Sequence, residues 1–210
     1  MKKLKLFIAS LAISATAFAQ FEGSIEFKME TKKDTTNNIY YVKGNNVKLD
    51  QIGRKSGKVE GSFVFDLAGK SIKFVNPARK VWGDKTETPA TPKGTFNVSK
   101  GGGSKVVCGK KCTDYIVKNT EENTQITYWI STEGYNFFVP LVQMWNRKDK
   151  QSVYFNQIKD LPKGSMPMLS VESDMSGAQI SKLEVIKADK KAIEPSQVSV
   201  PSDYKKFEQN

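Results

Sequence analysis

Residues Val106–Ser131 read VVCGKKCTDYIVKNTEENTQITYWIS. Within them Tyr115 and Val117 alternate with Asp114, Ile116 and Lys118, and Ile126, Tyr128 and Ile130 alternate with Gln125, Thr127, Trp129 and Ser131. Apolar residues at every second position are the mark of a strand with one face in the core. Asn119 to Asn123 lies between the two runs and is rich in residues whose side chains hydrogen-bond their own backbone in turns. The stretch predicts a β-hairpin, and with it a mainly β fold whose earlier strands form one antiparallel run and whose later segments pack against that run.

The N-terminal flank agrees. Phe21, Gly23, Ile25, Phe27 and Met29 alternate with Glu22, Ser24, Glu26, Lys28 and Glu30, giving a strand with one buried and one wet face. Ile39 to Val42 and Val47 to Ile52 flank Gly44-Asn45-Asn46, a loop able to take positive φ, and so predict a second hairpin. Val59 to Leu67, Ser71 to Val75 and Arg79 to Asp84 continue as short strands at meander spacing. The pattern breaks at residues 86–104, TETPATPKGTFNVSKGGGS, which read as a flexible loop dividing two halves of one sheet. Such a loop is either a lid over a pocket or a surface insertion.

On the C-terminal side, Phe138, Leu141, Val142 and Trp145 recur at helical spacing in NFFVPLVQMWNRK. They predict a short helix from about Pro140 to Arg147, with proline in the first turn; a buried strand is the alternative for so brief a run. Ser152 to Phe155, Met168 to Met175 and Ile180 to Lys187 read as further strands, and the tail from Pro195 to Phe207 as an extended arm ending in a helical turn.

Lys2, Lys3 and Lys5 precede an apolar run from Leu6 to Ala15 and the small-x-small triplet Ala17-Phe18-Ala19, the layout of a cleavable signal peptide over residues 1–19. The apolar run is shorter than the roughly 20 residues a spanning helix needs. Cleavage is expected after Ala19, and no cysteine follows the run to take a lipid anchor. The expectation is a periplasmic or secreted protein, residues 20–210 forming a single β-rich domain. The formal charge of +11 falls to +8 once the three leader lysines are gone. Arg54, Arg79 and Arg147 are the only arginines among the 33 basic residues. Lysine is a hydrated point charge that solvates a surface, whereas reading phosphates and base edges favours arginine's planar fork. No nucleic-acid partner is expected; a lysine-rich face suits solubility or an anionic envelope surface.

The chain contains no histidine. That removes serine-histidine and cysteine-histidine nucleophile pairs and every histidine metal or haem site. No motif selects catalytic residues, a metal or a cofactor, and the expectation is a protein that binds rather than catalyses. Cys108 and Cys112 flank Gly109-Lys110-Lys111; across a three-residue hairpin loop in an oxidising compartment they predict a disulfide staple, with a lysine-activated redox pair as the rival. Phe63, Phe65, Tyr128, Phe138, Leu141 and Trp145 belong to a set of large apolar side chains too numerous for one thin sheet face. A curved sheet with a short helix in its concavity would cover them, as a plain core or as a cleft for an apolar ligand. These six are the candidate lining.

Taken together, FEGSIEFKME, IYYVKGNNVKLD, SIKFVNPARKVW, CGKKCTDYIV followed by TYWIS, and the closing VPSDYKKF resemble the domain of unknown function 4412 family of exported Bacteroidota proteins. That family is similar in architecture to the LolA-type lipoprotein carriers. The resemblance implies an open antiparallel half-barrel wrapped around one or more short helices, in a fold that holds lipid chains. The functional expectation is an exported binding protein for a lipid or other hydrophobic ligand. The alternative is an envelope protein docking an anionic surface or a protein partner through its lysines.

Overall fold

The computed structural model describes residues 20–86 and 91–207. The leader expected at 1–19 lies outside the described residues, as do 87–90 of the expected loop. Six strands run in sequence from the N-terminus: β1 (Gly23–Thr31), β2 (Thr35–Lys43), β3 (Asn46–Ile52), β4 (Val59–Asp66), β5 (Ser71–Asn76) and β6 (Val81–Asp84). Five more follow: β7 (Asn97–Val107), β8 (Lys110–Asn119), β9 (Thr124–Ser131), β10 (Met166–Ser173) and β11 (Gln179–Lys190). A two-residue strand β12 (Lys205–Lys206) comes last. Between β9 and β10 stand the helices α1 (Phe138–Trp145) and α2 (Lys150–Phe155).

All twelve strands share one sheet in the order β12-β6-β5-β4-β3-β2-β1-β11-β10-β9-β8-β7. Two meanders thus meet along β1 and β11, which pair antiparallel from Gly23↔Lys190 to Thr31↔Ser181. The sheet is an open half-barrel, with the two helices against its concave face. The sequence break after β6 marks the one connection that leaves a strand near one edge and returns at the other, which no tight turn can do.

The central hairpin forms as its alternation requires. Cys112, Asp114, Tyr115, Val117 and Asn119 of β8 and Thr124, Ile126, Tyr128 and Ile130 of β9 are buried, and the register runs from Thr113↔Ile130 to Asn119↔Thr124. β2 and β3 join through the two residues Gly44 and Asn45, with Gly44 at φ 57°.

Four expectations are corrected. Residues 97–104, read as part of the loop, belong to edge strand β7. Its register jumps between Lys100↔Tyr115 and Ser104↔Thr113, so that Gly101 to Gly103 bulge opposite Asp114, whose Oδ1 accepts from the Gly103 amide at 2.9 Å. An edge strand that buries only Val107 offers no apolar period to read.

The disulfide is absent, and both cysteines are free thiols. Val107 pairs with Lys110, so the hairpin loop is Cys108-Gly109, with both residues at positive φ (49° and 70°), and Cys112 lies opposite Lys105. A two-residue loop in place of three takes Cys108 out of the ladder and leaves it no facing partner.

Ser152 to Phe155 is helical rather than extended. Asp149 caps α2: its Oδ1 accepts from the Ser152 amide at 3.0 Å and its Oδ2 from the Ser152 hydroxyl at 3.1 Å. In the tail the order is reversed, a 3₁₀ turn at Pro195–Val198 preceding the arm, which pairs parallel to β6 through Lys205↔Val81.

Candidate functional site

The concave face can be followed across the strands by register. Ile25 of β1 lies opposite Tyr40 of β2, Tyr40 opposite Leu49 of β3, and Leu49 opposite Phe63 of β4. This row is apolar throughout. One step along, Phe27 lies opposite Asn38, Asn38 opposite Gln51 and Gln51 opposite Gly61, so bulk falls away after the first residue. A helix resting on the first row cannot fill the space over the second.

Helix α1 rests there. It buries Leu141, Val142 and Trp145. Pro140 falls in its first turn, where backbone amides lack helical acceptors in any case. Trp145 packs on Phe63 and Phe65 with ring centroids 5.1 and 4.9 Å apart. Asn146 ends the helix in the left-handed conformation (φ 44°), its amide donating to the Val142 carbonyl at 2.9 Å. The chain then turns into α2, which crosses the other half of the sheet. Phe155 stands 5.6 Å from Tyr128 and 5.4 Å from Phe138, and the Tyr128 hydroxyl donates to the Gln151 carbonyl at 2.7 Å. The Tyr154 hydroxyl donates to Glu122 Oε2 at 2.8 Å, tying α2 to the β8–β9 turn.

Between helices and sheet lies a cavity of about 300 Å³. Ile25, Phe27, Met29, Tyr40 and Leu49 wall it on one side, and Tyr128, Met166, Leu183 and Val185 on the other. Phe138, Leu141, Val142, Trp145 and Phe155 form its roof. Arg147 and Asp149 also line it; they pair at 3.0 Å, and the Arg147 guanidinium stands 4.7 Å from the centre of the Trp145 ring. Burial pushes the Tyr40 and Tyr128 phenols above their ordinary range, so both hydroxyls stay neutral.

Of the six residues expected to line a cleft, Tyr128, Phe138, Leu141 and Trp145 do so. Phe63 and Phe65 do not; they support Trp145 from the sheet. Sequence reasoning missed Phe27 and Met29, although the alternation of the opening strand put them on its inner face. Gln151 was hidden by the misreading of α2. The arrangement can shield an apolar group from water. No group of three or more aspartate, glutamate or cysteine side chains placed to hold a metal occurs among the described residues.

A sequence model of the family described as "Domain of unknown function (DUF4412)" matches residues 21–204. The chain belongs to the DUF4412 family. No curated protein sequence matches this family member. In structure it is similar to an uncharacterized conserved protein from Thermus thermophilus, with a TM-score of 0.50 at 9% identity over 89% of this chain and 90% of that one. MucB in the Pseudomonas aeruginosa MucA/MucB complex gives 0.48 at 10% identity, covering 86% of this chain and 56% of that one. A domain described as that of an outer membrane lipoprotein-sorting protein from Vibrio parahaemolyticus gives 0.34 at 12% identity over 84% and 87%. At such identities likeness concerns the fold. Among the described residues of this DUF4412 chain, no helix is long and apolar enough to cross a membrane.

Proposed function

We propose that the protein is an exported binding protein, freed of a signal peptide after Ala19, that holds a lipid or another hydrophobic ligand between the concave sheet face and the α1–α2 segment. The observation that carries this reading is the cavity itself. Cores pack to the density of organic crystals and leave few voids larger than a water molecule. A space of about 300 Å³ lined by aromatic and aliphatic side chains is therefore a feature to be explained, and it falls at the lower end of the roughly 300–1,000 Å³ found for small-molecule sites. Most of the wall is that of a container, made of phenols held neutral, thioethers and hydrocarbon, with the Arg147–Asp149 pair and the amides of Asn38, Gln51 and Gln151 as its polar part.

The test is native mass spectrometry of the mature protein purified from its own host, followed by organic extraction. A stoichiometric hydrophobic molecule is expected, and it should be missing from Leu183→Trp, whose indole would occupy the cavity. Loading of Leu183→Trp equal to that of the wild-type protein, with unchanged circular dichroism, would place the ligand elsewhere.

A further inference from the structure

The apolar cavity continues into a second, more open one of about 380 Å³, and Met29, Asp149 and Gln151 wall both. The character of the walls changes along β1 itself. Ile25, Phe27 and Met29 face the first space, and Met29, Thr31, Lys32 and Lys33 the second. A single strand and the turn after it thus run from hydrocarbon to hydroxyl to ammonium.

At the junction stands a buried polar chain. Glu172 is 8% exposed, Ser181 3% and Gln151 7%. The Ser181 hydroxyl donates to Glu172 Oε2 at 2.7 Å, and the Ser181 oxygen accepts from Gln151 Nε2 at 3.1 Å. These two bonds fix the amide. A carboxylate can only accept, so the serine proton goes to it; the serine oxygen must then receive a proton, and only the amide nitrogen can give one. Gln151 Oε1 is left as a buried acceptor that takes no hydrogen bond from the protein. An acceptor in that condition is costly unless something donates to it.

The charges beyond it are unevenly committed. Asp149 is held by Arg147 and by the α2 cap, Glu172 by Ser181, and Lys150 by Thr124 and Glu122. Lys32 and Lys33 make no ion pair among the described residues, although Asp174 lies within the electrostatic reach of Lys32. With Lys150 they outnumber the Asp149 and Glu172 carboxylates around the second cavity, so an incoming group meets a net positive rim.

The geometry points to one bipartite site for an anionic amphiphile: an apolar chain in the first cavity, an N–H or O–H at the base of the head donating to Gln151 Oε1, and the anion against Lys32 and Lys33. This rests on the binding function proposed above and narrows its ligand class. A chain without a donor leaves Gln151 unsatisfied, and a chain without an anion leaves the lysine rim unused.

Three probes separate the parts. N-dodecanoylglycine has chain, amide N–H and carboxylate; N-dodecanoylsarcosine replaces the N–H with N–CH₃; and N-dodecanoylglycine methyl ester keeps the N–H and loses the charge. Each is titrated into the mature protein below its micellar concentration and followed calorimetrically, with 1-dodecanol as the bare-chain reference. N-dodecanoylglycine is expected to bind about tenfold more tightly than the sarcosine analogue, the worth of one buried hydrogen bond. Its advantage over the ester should shrink with added salt and in Lys32→Ala/Lys33→Ala. The preference for N–H should vanish in Gln151→Leu, though the contrast in the wild-type protein already decides. Equal affinity for all three acyl probes would overturn the head-group assignment and leave the apolar container intact. Failure of all four, dodecanol included, would overturn both.

Discussion

Trp145 meets Phe65 edge-on, with ring centroids 4.9 Å apart and planes inclined by 63°, so the roof of the cavity is fastened to the sheet by a residue that also lines the cavity. Removing the indole takes away the contacts with Phe63 and Phe65 together. Trp145→Ala should cost about 3–5 kcal/mol, the usual range for deleting a large buried aromatic. Urea denaturation measures it; a loss below about 1 kcal/mol would mean that α1 is held by something other than this contact.

Asp149 does two things at once, capping α2 and pairing with Arg147 at 3.0 Å. The two can be told apart, because asparagine caps about as well as aspartate but carries no charge. Asp149→Ala should lose about 1 kcal/mol, while Asp149→Asn should stay within a few tenths of the wild-type protein, since a partly exposed ion pair contributes little. Equal losses in both variants would assign the stabilisation to the ion pair instead.

The thiols should behave unequally. Burial pushes the Cys112 thiol up to about 11, and its Sγ is directed at the Lys110 carbonyl at 3.4 Å. Thiolate is the reactive form, so at pH 8 Cys112 should resist alkylation in the native protein and react once it is unfolded. Cys108 sits in the hairpin turn and is partly exposed. Iodoacetamide followed by intact mass should show one fast addition and one that requires denaturant. A non-reduced mass 2 Da below the dithiol value, the loss of about two hydrogens in forming a disulfide, would refute the free pair.

Alkaline pH should destabilise the fold. Burial raises the phenols of Tyr40, Tyr128, Tyr135 and Tyr154 above their ordinary value of 10.0, with the Glu122 hydrogen bond adding to the effect at Tyr154. The native state keeps these protons at pH values where the unfolded chain has released them. The tyrosine contribution is therefore complete below pH 10 and declines as pH rises beyond it, while the Cys112 contribution is complete below about 9 and is lost from about 9 to about 11. Absorbance at 295 nm on raising the pH should show some tyrosines ionising reversibly and the buried group only together with loss of far-ultraviolet ellipticity. A single smooth titration of every tyrosine near pH 10 would contradict this burial.

What could be read in advance follows from what repeats. Tyr128 lies in a strand with one buried face, so period 2 alone puts it inward. Phe138, Leu141 and Trp145 share a helical face for the same kind of reason. Whether an inward aromatic touches the cavity or lies behind another side chain depends on cross-strand register and on where the helix lands, and so Phe63 and Phe65 turned out to be supports for Trp145. The residues of α2 are too few for a period, and the informative sign was local: an aspartate three positions before a serine. The Cys108-Gly109 turn was likewise legible only from its glycine, which suits the second position of a two-residue loop at positive φ.

Gly23 begins β1 at φ 153°, opposite Lys190 of β11, and a Cβ there would overlap the Asp189 carbonyl oxygen. The obstacle is backbone, not the movable end of a side chain, so relief requires β1 and β11 to part. That is the seam at which the two meanders become one sheet. Gly23→Ala should cost at least about 1–3 kcal/mol, the scale of local backbone strain, whereas Gly109→Ala, which has open space around its Cα, should cost only the penalty of its φ of 70°. Hydrogen exchange would separate the two: Gly23→Ala should lose amide protection along β1 and β11 first, and Gly109→Ala only around the β7–β8 turn. If Gly23→Ala kept wild-type protection along that seam, the close approach of the two strands would not be what joins the halves.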